Sequence, residues 1–244
     1  MKTRILTALT GVALLGAVAF IGTGAIAQTA DQTASPIAMP ATAIAAPQAV
    51  PALAPGVITY SPEQATAVAT QAEQWLQQLK TARARFLLTA GNGTQLIGTF
   101  YLNRPGKLRF DYDDPVKDFV VADGVFIYFY DANLGEQSNA PIGQTLADFL
   151  LRSDIRLSGD VKVDSVVESG GLIQIKLSQT ADAGAGSLTL GFTREPFQLK
   201  KWRVVDPQGS VSEVELFQMQ TGVALERDLF VYRDPQKKAG SLNQ

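Results

Sequence analysis

Asp118-Phe119-Val120-Val121-Ala122-Asp123-Gly124-Val125-Phe126-Ile127-Tyr128-Phe129-Tyr130-Asp131 reads as strand, turn, strand. Asp-Gly between two apolar runs is a strong hairpin signal, because the tight turn needs positive φ and glycine adopts it without steric cost. The second run is apolar or aromatic on both faces. A strand of a one-layer antiparallel sheet normally alternates with polar residues on its solvent side. Such a run must therefore be covered twice or line a cavity, and an ordinary central strand under a helix fits the same pattern.

Working outward, further strands are expected at 82–90, 94–103 and 107–112. After the hairpin they resume at 161–168, 172–178, 186–193, 197–206, 210–219 and 228–232. Gly91-Asn92-Gly93, Arg104-Pro105-Gly106, Asp113-Asp114-Pro115, Gly170-Gly171 and Asp206-Pro207-Gln208-Gly209 supply the turns. Connections this short leave no room for crossover helices, so neighbours run antiparallel. Ile173, Ile175 and Leu177 alternate with Gln174 and Lys176, a half-buried pattern. About eleven strands in one meander, with no internal repeat, must curl into a barrel or half-barrel.

Two helices are expected. Ser61 is an N-cap, Pro62 fits the first helical position and Gln64 completes a capping box. Ala65, Val68, Ala69, Ala72, Leu76 and Leu79 then recur at helical spacing, with Trp75 on the border of that face. A shorter helix interrupts the strands between Pro141 and Arg152, where Leu146, Phe149 and Leu150 sit at i, i+3 and i+4. The class is mainly β, in the α+β sense.

Residues 1–27 read as a signal peptide: Lys2 and Arg4, an uncharged apolar stretch, then Ala25-Ile26-Ala27. The stretch is also just long enough to span a bilayer as a retained anchor, but its Ala-x-Ala end favours cleavage. Residues 28–56 are Ala/Pro-rich with one charge, Asp31, and read as a flexible linker. The folded domain is expected at 57–235 and a disordered tail at 236–244.

Composition excludes much. The 244-residue chain has no cysteine and no histidine. Disulfides, self-lipidation, Ser-His-Asp and Cys-His catalysis, histidine-ligated zinc and a histidine pH switch are all ruled out. Without Lys2 and Arg4, 19 basic residues face 23 acidic ones, which argues against nucleic acid. Asp111, Asp113 and Asp114 begin like a calcium loop, but Pro115 and the missing later ligands break it. Asp206 and Glu213 show no acid/base pairing. The chain is expected to be no enzyme, with no metal and no cofactor.

The expected apolar site comprises Trp75 and Leu76 on the long helix, Phe100, Leu102, Phe110, Phe126, Tyr128 and Tyr130 on strands, and Leu146, Phe149 and Leu150 on the short helix. Arg104, at a strand end before Pro105-Gly106, fits a solvated turn arginine. It also fits a donor that ties down backbone across a cavity mouth.

Tyr101-Leu102-Asn103-Arg104-Pro105-Gly106-Lys107-Leu108-Arg109-Phe110-Asp111-Tyr112 resembles the strand–Arg-Pro–strand signature of the LolA-type periplasmic lipoprotein carriers. Asp123-Gly124 with Tyr128-Phe129-Tyr130-Asp131, Leu134, Glu136 and Gln137 is similar to the family's next hairpin. Trp202, Asp206, Gly209, Phe230 and Pro235 are similar to its last third. The resemblance implies an incomplete antiparallel barrel of eleven strands with a helical lid. It implies a monomeric carrier in the periplasm whose cavity takes acylated lipoproteins released by an inner-membrane ABC transporter, and leaves open a separate outer-membrane acceptor. Arg104 with Pro105 would latch the lid. A sensor module on the same fold, reading lipid or protein, is the alternative.

Overall fold

The computed structural model describes residues 56–144 and 147–235, the side chains of residues 144 and 147 excepted. The readings of residues 1–55 and 236–244, and of Leu146, fall outside the described residues. In chain order the elements are β1 (Ile58–Thr59), α1 (Pro62–Gln78), β2 (Thr81–Ala90), β3 (Gln95–Asn103), β4 (Lys107–Tyr112), β5 (Phe119–Asp123), β6 (Phe126–Asp131) and β7 (Glu136–Pro141). They continue with α2 (Ala147–Leu151), β8 (Val161–Ser169), β9 (Leu172–Gln179), β10 (Ser187–Thr193), β11 (Gln198–Val205) and β12 (Val211–Thr221).

All twelve strands join one sheet, in the order β1-β8-β9-β10-β11-β12-β2-β3-β4-β5-β6-β7. Every pairing is antiparallel. Two meanders, β2–β7 and β8–β12, meet where β12 returns to β2. The sheet is open, with β1 and β7 at its ends, so the incomplete barrel is the right class, with twelve strands among the described residues against about eleven expected. The two strands unread in the sequence have plain reasons. β1 is two residues long, and β7, Glu-Gln-Ser-Asn-Ala-Pro, lacks apolar alternation because as an edge strand it is exposed everywhere but Ala140. The expected strand at 228–232 is instead a 3-10 turn, Arg227–Phe230, lying against β4 and β5 rather than pairing.

Strand parity fixes an inner face. Phe86, Phe100, Phe110 and Trp202 meet there in an aromatic ladder, with Phe86 edge-on to Phe110 at 5.0 Å and Phe100 against Phe110 at 4.8 Å. Leu102, Leu108, Ile127, Ile175, Leu177, Leu190 and Phe192 extend it into one core. α1 begins as the sequence requires: Gln64 N–H donates to Ser61 Oγ, and Ser61 N–H to Gln64 Oε1. It buries Ala72 and Leu76 completely in that core, and Trp75 packs edge-on to Phe192 at 5.8 Å.

Gly98 makes the ladder possible. It pairs with Phe86 across the strands, and an added Cβ would land on the Asp111 carbonyl and 2.6 Å from the Phe86 ring. Gly98→Ala is expected to lower stability by about 2–3 kcal/mol through overpacking. Urea unfolding checks this, and a wild-type midpoint would show that the Asp111 backbone and the Phe86 ring both yield.

β12 carries a bulge: pairing passes from Phe217–Arg85 to Gln220–Arg83, and Gln218 takes φ of 51°. A β-branched residue is poorly tolerated at that angle. Gln218→Val is therefore expected to cost about 1–2 kcal/mol while Gln218→Gly matches or exceeds wild type. Equal melting temperatures for the two variants would refute the left-handed bulge.

Candidate functional site

The hairpin turn Arg104-Pro105-Gly106 holds both helices. Lys80 C=O accepts the Arg104 N–H at 2.8 Å, which draws the side chain in under the end of α1. Arg104 is only 7% exposed, and its Nη2 donates to the carbonyls of Leu76 and Leu79 in the last turn of α1 and its cap. These carbonyls have no onward helical partner, so a side-chain cation is a favourable one. Gly106 N–H donates to Leu151 C=O of α2 at 2.9 Å. Gly106 has φ of 78°, and a Cβ there would meet Gly124 Cα at 2.8 Å, so two side-chain-free turns pack directly together. The structure thus places Arg104 in the buried arrangement and not in the solvated one. Pro105 is exposed and lines a cleft of about 410 Å³ with Gly124, Val125, Ile142 and α2.

The Arg104 guanidinium is incompletely satisfied. Arg104 Nε and Nη1 are buried with no hydrogen-bond partner among the described residues. Burial lowers the guanidinium pKa to about 10, so the group stays charged at neutral pH. A buried cation held by two carbonyls and lacking a carboxylate is attached, but at a desolvation cost.

The far half of α1 is different. Between it and β8 lies an open groove of about 990 Å³. Ala65, Thr66, Ala69, Thr70 and Glu73 form the helical wall and residues 161–166 the strand wall, where Val161, Val163 and Val166 stand among Lys162, Asp164 and Ser165, with Leu157 beside them. Thr66 and Thr70 donate their hydroxyls to the Pro62 and Thr66 carbonyls at 2.9 and 3.0 Å, leaving methyl groups as the free part of each side chain. The groove exists because these residues are small. Its size is near the upper end of ordinary ligand cavities, about 300–1,000 Å³. Residues 152–160 brace α1 at the inner end of this groove, where Leu157, Ser158 and Gly159 also line it. Gln77 donates to Ile155 C=O at 3.0 Å, and Glu73 accepts from Leu157 N–H at 2.9 Å. Arg152 pairs with Asp148 and Asp160 at 2.6 and 2.5 Å.

The expected site residues divide into groups. Leu76, Phe100, Leu102, Phe110 and Phe149 are buried in the core, with Trp75 and Leu150 partly buried against it. Among the described side chains of α2, Phe149 and Leu151 are buried. Phe126, Tyr128 and Tyr130 are a correction: they point to the outer face, while Ile127 and Phe129 of the same strand point inward. The physical reason is a second cover. The chain after β12 crosses the outside of β4–β6, stacking Tyr232 on Tyr128 at 4.7 Å and packing it 6.0 Å from Phe119. Phe230 is 1% exposed, and Arg109 donates to Leu229 C=O at 3.3 Å. The outer face of the doubly apolar run is therefore covered at Tyr128 and at Tyr130, which stacks on Phe119 at 5.1 Å, while Val125 and Phe126 at its start stay exposed. Ala65, Ala69, Leu157, Val161 and Val163 were missed, although the small residues at i, i+1, i+4 and i+5 of α1 were readable as a smooth stripe.

The carboxylates flagged in the sequence have structural partners. Asp111, Asp113 and Asp114 pair with Arg109, Arg85 and Lys117. The hydrogen bond from Arg85 holds the Asp113 carboxyl below the usual range. Asp206 accepts the Gln208 and Ser210 N–H groups of its own turn, and Glu213 pairs with Lys201 and Arg203.

The family model described as outer membrane lipoprotein carrier protein LolA matches residues 77–233. A protein of Methylococcus capsulatus named outer-membrane lipoprotein carrier protein is 26% identical over 184 residues, covering 72% of this chain and 88% of that protein. One of the same name from Legionella pneumophila (strain Corby) is 28% identical over 179 residues, covering 70% and 87%. The crystal structure of a LolA superfamily protein from Nitrosomonas europaea aligns with TM-score 0.37 and 9% identity, over 67% of this chain and 97% of that one.

Proposed function

The chain belongs to the LolA family of outer membrane lipoprotein carrier proteins, and from that membership we propose that it binds lipoprotein acyl chains beneath α1 and carries them across the periplasm to the outer membrane. It works as a carrier and not as an enzyme. The inner-membrane lipoprotein-releasing transporter is its donor, and a single copy of the chain serves one cargo.

The observation that supports this most is the unequal attachment of α1. Its C-terminal end is held by Arg104, while its N-terminal half rests Ala65, Val68 and Ala69 on the core and leaves a partly apolar groove open beside β8. Acyl chains can enter there and lift α1 from the sheet. Each buried methylene contributes about 0.8 kcal/mol, so several long chains fully buried would be held too tightly for release. A lid that prefers to close works against the cargo and brings the affinity down to a transferable level. In this reading Arg104 sets that preference, with Gly106 and Leu151 joining α2 to the same turn.

Titration of the purified chain with a triacylated lipopeptide tests the reading. A one-to-one complex that survives gel filtration is expected, and failure of lipopeptide to bind at micromolar concentration would refute it.

A further inference from the structure

We propose that the open outer edge of β8, Val161–Ser165, receives the first residues of the cargo polypeptide as an added strand while the acyl chains occupy the neighbouring groove. The inference rests on the carrier reading above and adds a second recognition element to it.

β8 pairs with β9 along its inner side, but on its outer side β1 reaches only Val167 and Glu168. The last bond of that pairing runs from Tyr60 N–H to Val166 C=O at 3.3 Å. The chain then turns away into α1 through Ser61 and Pro62. Among the described residues, 161–165 are left as a strand edge with no strand beside it in the sheet. That same stretch forms one wall of the groove. The groove therefore offers two kinds of contact: small apolar side chains from α1, and backbone donors and acceptors from β8. A diacylglycerol, which has no carboxylate to pair with Lys162 at the groove wall, uses the first kind alone. An acylated polypeptide terminus uses both, because extended chain pairs with a sheet edge whatever its side chains.

The edge is guarded against indiscriminate pairing. The register of β8 on β9 slips between Val163 and Ser165, and Lys162, which pairs with Asp164 at 3.6 Å, stands on the strand. Bulges and lysines are the usual means of blunting an edge. A peptide delivered by its own acyl chains overcomes that guard through high local concentration. β7, the other edge, offers backbone groups beside exposed polar side chains and gives an acylated chain no such advantage.

Amide hydrogen exchange on the full chain tests this, with three probes. These are a triacylated lipopeptide bearing six residues, the same lipopeptide with alternate peptide nitrogens methylated, and a diacylglycerol. The first should slow exchange at 161–165 by roughly tenfold or more, a few backbone bonds' worth of protection. The methylated and peptide-free probes should leave 161–165 open while still altering exchange along 65–70. Equal responses to all three probes at 161–165 would overturn strand addition and leave the carrier reading standing. Protection of 161–165 before any probe is added would assign the edge to this chain's own N-terminal segment or to a second copy, again overturning the proposal. Binding of no probe at all would overturn both.

Discussion

Arg104→Leu is expected to hold cargo tighter and release it more slowly than wild type. The substitution removes two charge-assisted bonds to Leu76 and Leu79 and leaves those carbonyls without their side-chain donor. Bonds of that type contribute about 1.5–3 kcal/mol each, and part of this is offset because the buried cation is itself removed. A net loss of about 2–3 kcal/mol in lid closure raises cargo affinity by the same amount, roughly 30- to 150-fold. Lipopeptide dissociation rates measure the change directly. The aromatic ladder does not depend on Arg104, so the unfolding midpoint of the sheet should move far less. Release at the wild-type rate would remove Arg104 from the latch.

Ala69→Trp is expected to do the opposite. Ala69 is half-buried on the groove side of α1, and an indole there fills the space that the proposed function gives to the acyl chains. Displacing about five methylenes costs about 4 kcal/mol, near a thousandfold in affinity. Because the groove is already open, the free protein has room for the ring and should unfold close to wild type. Retained lipopeptide binding in a folded Ala69→Trp variant would place the cargo elsewhere on the molecule.

The hairpins, the capping box of α1 and the alternation of Ile173, Ile175 and Leu177 were legible because each is set by neighbouring residues. Two features were not, for one shared reason. Phe126, Tyr128 and Tyr130 share a strand face by parity, but which face meets the core depends on pairing with β5 and β7 and on Tyr232, more than a hundred residues away. The groove arises where β1 stops and where α1 carries small side chains. Periodicity puts Ala65 and Ala69 on the apolar face of α1, but it records where apolar residues recur and not how much space they leave. Arg104 stood between the two cases. Its position at a strand end was visible, whereas its burial follows from α1 ending directly above it.

The most direct test adds the purified chain to spheroplasts that hold labelled outer-membrane lipoproteins, with an authentic carrier run in parallel to confirm an active transporter. Labelled lipoprotein should leave the membrane in a soluble one-to-one complex with this chain, as the carrier account predicts. Lipoprotein that stays on the membrane while the parallel carrier releases it would contradict the account.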